Sequence, residues 1–180
     1  MPPRTQLTPL QIEAIKKEIT ELEAELQTLL NQVSMKEQEI YTVASNNLGK
    51  HLTLNAAVPN EVGCAESVSK VLSLAGISDG PQGIAGTAAL DAWLAASPLF
   101  NRVDSPQEGA IIVNATGSGN GSIEGHTGIF GAFGKQFAGD WGIMSNDSPT
   151  GLFLERWSYS RWLQYYHIAG GLNVHIYRAA

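Results

Sequence analysis

An α+β chain with one antiparallel sheet is the fold this sequence predicts, and three observations predict it. Helical periodicity dominates up to Ala96, β-rich runs take over from Gly109 onward, and clusters of Gly, Asn, Asp and Pro separate those runs. Helices first and strands second argue against a doubly wound parallel sheet, in which the two alternate. With 180 residues the chain has room for one domain and an accessory segment. Its 43 % hydrophobic and 16 % charged residues are the composition of a packed globule. A net charge of −6 leaves no general basic face for phosphates, so no nucleic-acid partner is expected. Cys64 is the only cysteine, which excludes an intramolecular disulfide and makes a structural zinc site improbable.

Residues 8 to about 40 read as a long amphipathic helix. Thr8 caps it, Pro9 suits the first helical position, and Gln11 completes a capping box. Ile12, Ile15, Ile19, Leu22, Leu26, Leu29 and Val33 then recur at alternating steps of three and four, the seam of a coiled coil. So narrow a seam suits self-association or docking on another helix, with packing on the chain's own domain as the plainer alternative. The arm is assigned to residues 1–34 and the domain to 35–180. A second helical stretch is expected from Met35 to about Leu48, stopped by Gly49, and then a polar loop over 50–62 around Pro59.

Cys64 to Ala75 reads as a helix ended by Gly76, and Thr87 to Ala96 as a shorter one closed by Ser97-Pro98. Strands are expected at Gly109 to Asn114, Thr127 to Phe133, Trp141 to Ser145 and His167 to Arg178. The glycine-rich stretch Ala115 to Gly125 lacks the lysine and helix of a phosphate loop and reads as a mobile flap beside His126. Trp157, Trp162, Tyr165 and Tyr166 form an aromatic cluster that suits either the core or the wall of a groove. No run is long and apolar enough to span a membrane. Met1 to Leu10 has no apolar stretch, so a soluble product without a signal peptide is expected.

Cys64 stands where a loop becomes a helix. Backbone N–H groups and the positive end of the dipole there favour thiolate, the nucleophilic form, whereas an arbitrary cysteine is more often a small buried hydrophobe. His126 would open a strand and project a general base from rigid structure. The next strand delivers Ser145, Asn146 and Asp147 at its end. Asn146 and Asp147 are both chemically suited to orient the imidazole, although Asn-Asp-Ser-Pro is also a strong turn sequence. His51, His167 and His175 lack metal-ligand spacing with one another, and His167 is expected to pack or hydrogen-bond in a strand.

Gly63-Cys64-Ala65-Glu66-Ser67-Val68, then Ser105-Pro106-Gln107-Glu108-Gly109, then Gly125-His126-Thr127-Gly128 resemble the successive landmarks of the NlpC-type and CHAP-type cell-wall cysteine peptidases. The resemblance spans about residues 40 to 178. It departs from the family pattern at Ala110, where an acidic residue often stands, and in having no aromatic directly after the cysteine. It implies a papain-like domain with Cys64 as nucleophile, His126 as base and Asn146 most nearly as the orienting residue, with Gly63, Gly125, Trp141 and Asp147 as substrate-binding positions. It further implies hydrolysis of a peptidoglycan amide bond without metal or cofactor. A phage enzyme, held in the host cytoplasm before release or carried on the virion, would need no export signal. The rivals are a non-catalytic assembly protein acting through its arm, and a papain-like protease or acyltransferase on a protein substrate.

Overall fold

The computed structural model describes residues 7–53, 63–77 and 83–180, apart from the side chains of 30 and 32–34. The loop expected around Pro59 and the seam's Val33 side chain lie outside the described residues. The chain divides into two units, Met1–Met35 and Lys36–Ala180.

One helix, α1 (Pro9–Asn46), takes the place of the two expected stretches, because no glycine or proline interrupts the sequence around Met35. At its start the Thr8 amide donates to Gln11 Oε1 at 2.9 Å and the Gln11 amide donates to Thr8 Oγ1 at 3.3 Å, a reciprocal capping box. In the first unit Ile12, Ile15, Ile19, Leu22, Leu26 and Leu29 are between 40 and 57 % exposed. The ion pairs Lys16–Glu13 and Lys17–Glu21 are solvated and add only a few tenths of a kcal/mol each.

In the second unit six strands form one sheet: β1 (Phe100–Val103), β2 (Ile111–Asn114), β3 (His126–Phe133), β4 (Trp141–Asn146), β5 (Phe153–Ser158) and β6 (His175–Ala179). Their order is β1-β6-β2-β3-β4-β5 and every neighbouring pair is antiparallel. Alternation along the strands gives each face its own core. Ile111, Val113, Ile129, Met144 and Tyr177 face Ile40 and Ala44 of α1, α2 (Cys64–Leu74) and α3 (Thr87–Ala96). Ile112, Phe130, Ile143 and Ile176 pack on the other side with Trp162 and Tyr166. Glu37, 5 % exposed, accepts from Arg178 Nε at 2.8 Å. Burial raises the Glu37 carboxyl above its ordinary value, and the guanidinium works against that shift.

Three elements differ from the sequence expectation. β1 and β5 were not anticipated: β1 has four residues at the sheet edge, and β5 carries Glu155 and Arg156 among its apolar positions. The strand expected over 167–178 begins only at His175. Before it, α4 (Tyr159–Trp162) runs into a π-helical segment, Leu163–Ala169. Ser158 caps α4 by accepting from the Arg161 amide, and Trp162 and Tyr166, one helical turn apart, seat the segment on the sheet.

Candidate active site

Gly63 admits the chain to α2 because a Cβ there would stand 2.5 Å from Thr53 Cγ2. Cys64 follows as the first helical residue, 5 % exposed. The backbone amides of Thr127, Ala65 and Cys64 itself favour the charged form of the sulfur, as a helix start should. Burial outweighs them. Desolvation of the charged form pushes the thiol up to about 11, assisted by the charge of Glu124, and the thiolate expected from the helix start is not the resting form.

His126 opens β3, 5 % exposed, with its ring against Trp162 (centroids 5.0 Å apart, planes at 30°) and Tyr166 (5.4 Å, 19°). Its Nε2 lies 3.3 Å from Ser145 Oγ. Burial pushes the imidazole down to about 4, against the backbone carbonyl of Asn146 and the charge of Asp147, which favour protonation. At neutral pH the site therefore holds a thiol and a neutral imidazole. The Cys64 sulfur makes no hydrogen bond to that imidazole among the described residues, but a charge on it would raise Tyr166, which stacks on the ring. Thiol and base thus share a neighbourhood without forming a pair.

Asn146 ends β4, 1 % exposed. Its side chain lies toward Gly63, where a Cβ would stand 3.5 Å from Oδ1, while its main-chain carbonyl serves His126. Ser145 brings a side-chain hydroxyl within reach of the ring. Alternation carries the signal for it: His126 shares its strand face with Gly128, where a Cβ would stand 3.2 Å from Ser145 Cβ. Asp147 accepts from Arg156 Nη1 at 3.1 Å and from Thr150 Oγ1, so its carboxylate is engaged in the turn after β4.

Two hollows flank these groups. Cys64 lines one of about 180 Å³ with Thr87, Thr116, Glu124 and Gly125, and His126 lines another of about 290 Å³ with Asn146, Asp147, Trp157, Tyr165 and Tyr166. The aromatic cluster serves both expected purposes, since Trp162 is fully buried and Tyr165 is 53 % exposed. Trp141 is not brought to the site: it starts β4, at the far end from Asn146, and packs on Phe130 and Phe133.

The 115–125 stretch, expected to form a flap, is hydrogen-bonded within itself and to the 170–173 segment. The Asn120 amide donates to Gly171 O at 3.1 Å, the Asn173 amide to Ser118 Oγ at 3.1 Å, and the Gly125 amide to Thr116 Oγ1 at 2.8 Å. His167 sits in the π-helical segment, not in a strand, with Nδ1 2.8 Å from Leu172 O. Among the described residues no group of three or more His, Cys, Asp or Glu could hold a metal ion, and no helix is long and apolar enough to cross a membrane. No protein-family model matches the chain, and no curated protein matches it closely enough to count as a relative.

Proposed function

We propose that the 36–180 unit is a papain-like cysteine amidase of the NlpC or CHAP kind that hydrolyses an amide bond of peptidoglycan. The observation that carries the reading is the meeting of the α2 start with the β3 start: the amide of Thr127, the residue next to His126, lies beside Cys64 and favours the charged form of its sulfur. Cys64 gives its proton to His126 and attacks the amide carbonyl. The N–H groups around the sulfur then stabilise the oxyanion. Protonated His126 returns its proton to the leaving amine, and water, activated by the same imidazole, releases the acyl group from sulfur. The proton transfer needs an imidazole–sulfur contact that forms as substrate fills the two hollows. Asn146 orients the base through its carbonyl, with the Ser145 hydroxyl beside it. The arm joins a helix of a second copy, as suits an enzyme assembled on a virion.

Purified peptidoglycan incubated with the full chain should release fragments whose masses identify the cleaved bond, and Cys64→Ala should release none. Equal release by Cys64→Ala would remove Cys64 from the chemistry. One observation favours a second reading, a non-catalytic assembly protein of the same fold: a resting thiol raised to about 11 is poorly nucleophilic at neutral pH. Iodoacetamide labelling against pH separates the two, because an activated sulfur reacts well below pH 8 once a peptidoglycan fragment is bound and an inert one does not.

A further inference from the structure

Between α3 and strands β1 and β6 lies a cleft of about 470 Å³ to which the proposed chemistry gives no role. Its wall meets that of the Cys64 hollow at Thr116, whose Oγ1 is 3.1 Å from Thr87 Oγ1. Asp91 of α3 reaches across to β6. Its carboxylate receives Nδ1–H of His175 at 2.8 and 3.0 Å and the hydroxyl of Tyr177 at 2.8 Å. A carboxylate only accepts, so the imidazole nitrogen facing it, Nδ1, carries a proton, and in the neutral ring Nε2 is the acceptor. Arg102 stands opposite Tyr177 in the β1–β6 ladder and lines the same cleft. It forms no ion pair among the described residues, although the chain carries a net charge of −6. The methyl groups of Ala88, Ala92 and Ala95, on one face of α3, supply the apolar wall.

A cation, an oriented acceptor and a methyl-lined wall match one chemical pattern. A terminal carboxylate pairs with the guanidinium, the preceding N–H donates to the imidazole, and a small side chain rests on the alanines. We propose that this cleft binds the free C-terminus of a short peptide with small side chains, Arg102 taking the carboxylate and His175 Nε2 the last amide N–H. The site is distinct from Cys64 and stands whether or not the chain is an amidase.

The test is a titration of the ¹⁵N-labelled full chain with N-acetyl-alanyl-alanine and, separately, with its C-terminal carboxamide, following backbone amides. Saturable shifts at Asp91, Ala92, Arg102 and His175 are expected with the acid. Binding at least tenfold weaker is expected for the carboxamide, and for the acid on Arg102→Gln, whose exposed position leaves the remaining spectrum unchanged. Shifts absent from the cleft, or equal for acid, carboxamide and Arg102→Gln, overturn the proposal. If Asp91 and His175 serve only to fasten α3 to the sheet, that second outcome is the one observed.

Discussion

His126 is kept neutral by the packing that positions it, and this has a measurable cost in acid. Its folded pKa, about 4, lies below the ordinary 6.5, so the unfolded chain binds the proton more readily. Stability should therefore fall as pH drops from about 6.5 to 4, by roughly 3 kcal/mol from this group. Urea denaturation at pH 7.5 and 4.5 would measure the loss, and His126→Gln should flatten the difference. A slope unaltered by His126→Gln would mean that other groups carry it. Trp162 offers a second check at this scale: its Nε1–H donates at 2.6 Å to the buried Asn114 Oδ1. Trp162→Phe leaves that acceptor unpaired and should destabilise by about 1–3 kcal/mol, beyond any loss of packing. The positions of Cys64 and His126 were legible from Gly63 at a helix start and from strand alternation. Their charge states were not, because Trp162 and Tyr166, which bury the imidazole, come from a segment far along the chain.

Elements with strong local signals were legible: the capped α1, the glycine-ended α2, and apolar β2, β3 and β4. β1 and β5 were not, since an edge strand keeps polar residues and its place depends on a neighbour it meets only in the folded sheet. The aromatic run from Tyr159 to Tyr166 carries strand-like residues, yet helical spacing puts Trp162 and Tyr166 on one buried side, and tertiary packing wins over propensity. Glycines separate a local from a tertiary demand. A Cβ on Gly125 would overlap Asn114 O and Thr116 N, main-chain atoms that cannot swing aside. Gly134, with φ +69°, has nothing within 4 Å. Gly125→Ala should thus lose about 1–3 kcal/mol or more, and Gly134→Ala only the 1–2 kcal/mol of a left-handed alanine. Chemical denaturation of both variants tests the ranking, and a smaller loss at Gly125 would refute it.

For the whole molecule, the seam of the first unit predicts association. Light scattering on the full chain should give a larger oligomer than a chain starting at Met35, and Leu22→Asp should reduce the full chain to the same size as the short one. Identical masses for the full and shortened chains would leave self-association without support. The sheet holds a consequence of another kind. β6, the last strand along the chain, is inserted between β1 and β2, which precede it by more than sixty residues. During synthesis β2, β3, β4 and β5 can emerge from the ribosome and pair in turn, but β1 has no partner and β2 an open edge until β6 follows. Assembly of this sheet therefore waits on β6, and a chain stalled before His175 presents β2 as a bare edge that any extended strand can occupy.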